Sequence, residues 1–355
     1  MENISYLMAL LPEGYEQECY KTGAIVRKRG VTSPADLMML AMFHLQNGCS
    51  LLEISEVARI TKLGNMSDVA FMKRFEKCGM WFRGINEKLG AECWVDYAKP
   101  GWLAGKTLVG VDGSDVSEKG RSGRIYRLHY ALDIFEMVSI EHKITTNKTG
   151  ESLLNFNPQP GYIMVADRCY ATIKGIAHCC EHGAEYIIRL RKNSFTVRDE
   201  SNEKVDLVNM LANLAEGEYL DYSAFATNSE GEKMPVRICA KRKTTEAIVQ
   251  TGKKLRRQES KRQIKISDEA KVFNEYIIVV TNLGEAISAG EILEAYRLRW
   301  QVEIYFKRLK SILDFGELPK RRPDSVIAWL NGKLMIALLI ETAIAKASFS
   351  PAAQN

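Results

Sequence analysis

The 355 residues are 46% hydrophobic and 26% charged with a net charge of +5, a globular mix that excludes wholesale disorder and suits two or three domains. No run reaches the roughly 18 apolar residues of a membrane span, because the best one, Leu334 to Ile340, stops at Glu341, so no membrane partner is expected. Eight cysteines without a CxxC pair, and an N-terminus (Met1-Glu2-Asn3-Ile4) with no positive region before its short apolar run, predict a reduced, cytoplasmic chain without a signal peptide.

Residues 1–105 read as a helical domain. Ser33-Pro34-Ala35-Asp36 is a cap followed by proline at the first helical position, and Gly48 ends that helix. Ser50 opens a second helix and Ser67 a third, an arrangement compatible with DNA binding and equally with scaffolding. Strands take over near Lys106. Thr107 to Asp112 is an apolar run ending in an acid, and Arg124 to Ile134 and Met137 to Ile144 follow it around a turn at Phe135-Glu136. Tyr162 to Asp167 is a second apolar run ending in an acid, and a helix from about Ala171 to His182, closed by Gly183, leads to a strand at Glu185 to Leu190.

Residues 193–274 are polar, weakly periodic and charged, and read as a β-rich insertion with a basic arm. From Arg237 to Lys271 twelve Lys/Arg face four acids, a net of +8 that leaves the rest of the chain at −3. That concentration suits a phosphate-bearing partner, or else a solvated loop. Tyr276 to Thr281 returns to a strand, and Ala289 to Leu313 reads as one long helix.

Two strands ending in aspartate within a β-β-β-α-β-α order bring Asp112 and Asp167 together, because site residues gather where strands of mixed sheets end. Two close carboxylates repel unless a cation lies between them, and hard oxygen ligands suit Mg²⁺ or Mn²⁺. Each aspartate alone reads as readily as a turn or cap residue. On the long helix, Tyr296, Arg299, Glu303 and Lys310 project at about 0°, 300°, 340° and 320°, one narrow stripe, with Leu298, Val302, Phe306, Leu309 and Leu313 as the core face. Solvated ion pairs would account for Glu and Lys at such offsets, but not for the tyrosine ring among them.

Tyr296-x₂-Arg299-x₃-Glu303-x₆-Lys310 resembles the Y-R-E-K signature of cut-and-paste DDE transposases of the insertion-sequence-four family. Val109-Gly110-Val111-Asp112-Gly113-Ser114 resembles that family's first motif. Val165-Ala166-Asp167-Arg168-Cys169-Tyr170, with Arg189-Leu190 downstream, resembles its second. Ser67-Asp68-Val69-Ala70 with Lys73-Arg74-Phe75 is similar to its helical N-terminal region, and the likeness covers residues 30–345.

The resemblance implies an α/β fold: an RNase H-like mixed-sheet core at 106–192 and 275–355, interrupted by the 193–274 insertion and preceded by the helical domain. It implies Asp112, Asp167 and Glu303 as catalytic, metal-binding acids holding two Mg²⁺ ions (or Mn²⁺ as substitute) about 4 Å apart. Arg299 and Lys310 would hold phosphates and Tyr296 the DNA near the cut end. Lys253, Lys254, Arg256 and Arg257 are the DNA-contact candidates of the basic arm.

The implied function is a transposase that binds an element's terminal inverted repeats, cuts its ends through a hairpin and joins them to target DNA. A homodimer would act in the synaptic complex, in the nucleoid-associated cytoplasm of a bacterial or archaeal cell. A structure-selective nuclease on the same fold, or a defective copy that only binds DNA, is the alternative. The family's flipped-base clamp uses a tryptophan in the insertion. None lies between Trp102 and Trp300, so stacking would fall to Phe273 or Tyr276.

Other features read as structural or peripheral. His178-Cys179-Cys180-x-His182 is spaced too tightly for a zinc finger and reads as buried thiols with surface histidines. Asp115 is a loop acid and Asp133 a further acid of the core. Trp300 and Phe306 read as core. Lys320-Arg321-Arg322 is a candidate for backbone contact.

Overall fold

The computed structural model describes residues 2–46, 48–92, 99–118, 125–136, 138–192, 194–215, 217–227, 233–312, 317–318 and 322–348. Five helices come first: α1 (Glu2–Met8), α2 (Tyr15–Lys21), α3 (Pro34–Gln46), α4 (Leu51–Ile60) and α5 (Asp68–Glu92). Small polar side chains set three of the starts. The Asp36 amide donates to Ser33 Oγ at 3.1 Å, Ser50 and Glu53 cap each other's backbone amides, and the Ala70 amide donates to Ser67 Oγ at 3.3 Å.

Strands β1 (Thr107–Glu118), β2 (Ile125–Asp133), β3 (Val138–Thr146) and β4 (Tyr162–Ala166) lead through α6 (Ile173–Glu181) to β5 (Glu185–Arg189). Asp133 makes the β2–β3 turn by accepting the amides of Phe135 and Glu136 at 2.9 and 3.1 Å, which accounts for that acid. The insertion comprises β6 (Val197–Arg198), α7 (Leu207–Ala212), β7 (Tyr219–Thr227), β8 (Lys233–Arg242), α8 (Thr245–Arg262) and α9 (Asp268–Asn274). Its basic arm is therefore a helix of 18 residues, capped by Thr244. Lys, Arg, Gln and Glu are good helix formers, which explains why so polar a run winds into one. Last come β9 (Tyr276–Thr281), α10 (Ala289–Arg297), α11 (Trp300–Ile312), β10 (Glu317–Leu318) and α12 (Pro323–Ser348).

The chain divides into two units. One is Ala98–Asp112 with Gly150–Val302. In it, the first half of β1 pairs in parallel with β4, and β4 with β5; β9, β8, β7 and β6 then follow antiparallel. Ile163, Met164, Val165 and Ala166 are all buried, as expected for a parallel strand covered on both faces. This is the mixed α/β sheet of an RNase H-like core. Arg237 of β8 ties the unit together. Its guanidinium pairs with Asp221 at 2.5 and 2.6 Å and donates to the carbonyls of Gly284 and Ile287 at 2.8 Å. Only 5% of this arginine is exposed, so it is a structural clamp and leaves the basic run counted from the sequence.

The other unit is Met1–Tyr97, Gly113–Thr149 and Glu303–Asn355. Helix α12 packs along α5 and α3, with Phe71, Phe75, Trp81 and Phe82 of α5, Leu37, Met38 and Leu45 of α3 and Leu334, Met335 and Leu338 of α12 all buried, and His44 of α3 meets the Phe71 and Phe75 rings edge-on at 5.8 and 5.2 Å. The Asn86 amide crosses from α5 to the Asn331 carbonyl of α12 at 3.0 Å. At Pro323–Ile344, α12 has a mean hydropathy of 1.5 and is long enough for a membrane span, longer than the sequence count allowed. Within this unit 72% of its most apolar stretch is buried, as in a core helix. The loop between α4 and α5 depends on glycine: a Cβ on Gly64 would lie 2.2 Å from the Gly30 carbonyl oxygen.

Candidate active site

The β1–β4 register sets Gly110 beside Val165. Carried two residues on, it sets Asp112 level with Asp167. The β4–β5 register sets Ala166 beside Ile188, so one residue on Asp167 is level with Arg189. Asp167 keeps an extended backbone at φ −76° and ψ 170°, so the row continues past the end of β4. Neighbouring strands lie about 4.8 Å apart and level residues share a face. Two half-buried carboxylates and one guanidinium thus stand in a line where the apolar strands emerge. Two such carboxylates side by side are hard oxygen donors that fit a divalent cation such as Mg²⁺. Arg189, whose role the sequence left open, could have been found by extending that register.

The same unit holds Tyr296 and Arg299, 6% and 9% exposed. The helix expected over Ala289 to Leu313 is broken here. Between α10 and α11 the amides of Leu298, Arg299, Gln301 and Val302 each bond to a carbonyl three residues back. In such a 3₁₀ turn side chains three apart eclipse, which puts the Arg299 guanidinium over the Tyr296 ring at 5.9 Å. Burial raises the Tyr296 phenol pKa, while the charges of Arg299 and Arg189 oppose the shift and that of Asp167 adds to it. Tyr296 and Arg299 therefore turn inward rather than forming an exposed stripe, and Tyr296 lies in the field of Asp167 and Arg189. Glu303 and Lys310 are exposed on α11, in the other unit. Trp300, expected in the core, is 51% exposed. The side chains of Phe306 and Leu309, and all of Leu313, lie outside the described residues.

Beside Arg189 is a cavity of about 50 Å³, lined by Arg168, Arg189, Arg191 and Lys192 with Phe273 and Tyr276. Phe273 and Tyr276 are 7% and 4% exposed, and the Tyr276 hydroxyl donates to the Leu211 carbonyl at 2.7 Å. They wall the cavity and are not free to stack a base, which corrects the expectation from the sequence. Nearby, burial pushes the Lys243 ammonium pKa down to about 8, and the positive charges of Arg189, Arg168 and Lys254 add to the shift. This corner of the unit concentrates positive charge.

Helix α8 has no buried residue. At about 100° per residue, Lys253, Arg257, Lys261 and Lys254 cover one quarter of its circumference, and all four are exposed. Ile248, Leu255 and Glu259 lie opposite and are partly covered. Arg256 is exposed at the edge of the basic face. Of the remaining bases of the run, Lys271 pairs with Asp268 at 2.8 Å, Arg242 with Glu275 at 3.0 Å, Lys243 with the Asn274 carbonyl and Lys241 with the Tyr219 hydroxyl at 3.1 Å, while Arg262 and Lys265 are exposed. Asp115 pairs with Arg127 at 2.7 Å, a structural role. Arg322 pairs with Glu76 at 3.3 Å; Lys320 and Arg321 lie outside the described residues.

Residues 107–339 match the family model described as "Transposase DDE domain". InsL of insertion sequence element IS186A from Escherichia coli (strain K12) is 27% identical over 351 residues, 97% of this chain and 94% of that protein. The "Transposase for insertion sequence element IS421" of Escherichia coli is 27% identical over 352 residues, with the same coverage. The "Transposase for insertion sequence element IS231C" of Bacillus thuringiensis subsp. berliner is 26% identical over 204 residues, 53% of this chain and 42% of that protein.

Proposed function

This chain belongs to the transposase DDE domain family, DNA-cleaving and strand-transferring enzymes of insertion sequences, and from that premise we propose how it acts. It binds the terminal inverted repeats of its element, cuts the element ends by metal-dependent phosphoryl transfer through a hairpin, and joins them to target DNA. Residues 106–192 and 275–355 form the catalytic core, and two copies meet in the synaptic complex, in the cytoplasm.

The observation that carries this reading is the level placement of Asp112, within β1 just past its pairing with β4, and Asp167, just past the end of β4. With Glu303 they would hold the divalent cations, which when bound supply activation of the attacking hydroxyl and charge stabilisation at the leaving oxygen. Everything else falls to the chain. Arg189, level with Asp167, presents a fixed positive charge where the phosphate gathers negative charge. Arg299, packed over the Tyr296 ring, is held in one orientation, so its donors are preorganised for a phosphate near the reacting one. The tyrosine thus acts first by positioning Arg299, and it meets DNA only when the strand end enters the site. Lys310 adds a further phosphate contact. Lys253, Lys254, Arg257 and the edge residue Arg256 follow the backbone farther along the duplex, where contacts fix register without reading sequence.

The test is a labelled terminal-repeat duplex incubated with Mg²⁺ and resolved on a denaturing gel into nick, hairpin and opened end, followed by joining to a target plasmid. The wild-type protein gives all three species and joined product. Cleavage with no joining from a pre-cut end would make the protein a nuclease; binding with no metal-dependent nick would make it a DNA-binding copy.

A further inference from the structure

We propose that the C-terminal end of α6 is a binding site for one divalent transition-metal ion of the zinc type, held by His178, Glu181 and His182 and separate from the carboxylate site. One donor atom from each of these side chains lies within 4.8 Å of the other two. The helix explains why. Residues at i, i+3 and i+4 fall on one face, and the two imidazole rings sit with centroids 4.4 Å apart. The spacing that is too tight for a zinc finger is a chelating spacing on a helix.

Hydrogen bonds make the donors ready. His178 Nε2 lies 3.0 Å from the Phe156 carbonyl oxygen, and His182 Nδ1 lies 2.8 Å from the His178 carbonyl oxygen. A carbonyl only accepts, so each of these nitrogens carries the proton. His178 Nδ1 and His182 Nε2 are left with lone pairs. Metal-bound histidines characteristically donate their second N–H to such an acceptor, which fixes tautomer and ring orientation.

The support is rigid. Gly175, Ile176 and Cys179 bury the inner face of α6, the Thr172 side chain caps its start, and Gly183 at φ 69° ends it. The exposed carbonyls at a helix C-terminus carry partial negative charge and favour a cation. Two imidazole nitrogens and a carboxylate oxygen are a borderline-soft set that prefers Zn²⁺, Ni²⁺ or Co²⁺ to Mg²⁺. Glu181 and His182 are exposed, so water completes the coordination. Asp167 precedes the other end of a helix about 13 Å long, which keeps the two sites apart. An ion here would tie the end of α6 to the segment at Phe156.

The experiment titrates the full-length protein with Zn²⁺ against a chromophoric competing chelator, at pH 7.5 without Mg²⁺. It is repeated with Cu²⁺ while the electron paramagnetic resonance spectrum reports nitrogen ligands. One equivalent binds with two nitrogen ligands. His178→Ala and His182→Gln each weaken Zn²⁺ binding at least about tenfold, Glu181→Gln weakens it several-fold, and Asp167→Asn leaves it unchanged. Zn²⁺ raises the melting temperature of wild type but not of His182→Gln, a readout that also checks folding. Unchanged Zn²⁺ affinity in both histidine variants, or loss of binding in Asp167→Asn alone, overturns the proposal. The first outcome leaves the reading of the carboxylate site untouched, and the second would place the ion there.

Discussion

In the proposed function the row Asp112–Asp167–Arg189 and the helix α8 both meet phosphate, by opposite physical means. The row is set by backbone register, with each side chain rooted in a buried strand whose neighbours cannot shift without breaking the sheet. Helix α8 buries nothing and presents Lys253, Lys254, Arg257 and Lys261 as a loose charged face. Chemistry at a reacting phosphorus needs atoms held to within about half an ångström, whereas duplex backbone contact needs only charge of the right sign within reach. The same protein therefore invests order in one region and charge count in the other.

The largest expected effect tests the first half of that contrast. Asp112→Asn and Asp167→Asn should each lower Mg²⁺-dependent nicking by on the order of 10³-fold or more, with DNA binding in a filter or mobility-shift assay nearly unchanged. Asp112→Glu keeps the charge and adds one methylene, and nicking should fall by a similar factor. Wild-type nicking in Asp112→Glu would show that position matters no more here than on α8.

Next in size is the helix. Replacing Lys253, Lys254, Arg257 and Lys261 together by Ala should flatten the slope of log K against log salt by about two to four units, at about 0.9 per phosphate contact. The same four positions as Arg/Lys swaps should leave the slope where it is. Arg256→Ala alone, at the edge of the face, should change it by less than Arg257→Ala. A slope that stays constant in the fourfold variant would reduce α8 to a solvated helix.

The smallest effect lies between the two regions in character. Burial and the neighbouring arginines hold the Lys243 ammonium at a pKa of about 8, below its ordinary 10.5. It is charged at pH 7 and becomes neutral as the pH rises through 8, so affinity for DNA should fall several-fold between pH 7 and pH 9. A phosphate bound beside it would favour the charged form, so binding takes up a fraction of a proton in that window. Lys243→Arg should abolish the pH dependence. If the variant and the wild type lose affinity in parallel, Lys243 is not the titrating group.

The sequence by itself determined the two apolar runs that lead into Asp112 and Asp167, the polar caps of α3, α4 and α5, the turn at Phe135-Glu136 and the charge of the insertion. Each is a local matter: an apolar run, a hydroxyl three residues from an amide, a carboxylate next to free N–H groups, a count of bases. It also carried the four-residue signature, because spacing along a chain is visible without a fold. Only the tertiary structure decided the rest. Register between strands far apart in sequence is a non-local pairing, so it alone brought Arg189 level with Asp167. The 3₁₀ turn at Leu298–Arg299 decided that Tyr296 and Arg299 are buried, where one uninterrupted helix would have carried them on a stripe with Glu303 and Lys310. Arg237 looked like one more base until burial and Asp221 locked it in place. Phe273 and Tyr276 looked like stacking rings until the insertion's own core claimed them. In each case the side chain's neighbours, absent from any local window of sequence, set its burial and hydrogen bonds, and those set what it can do.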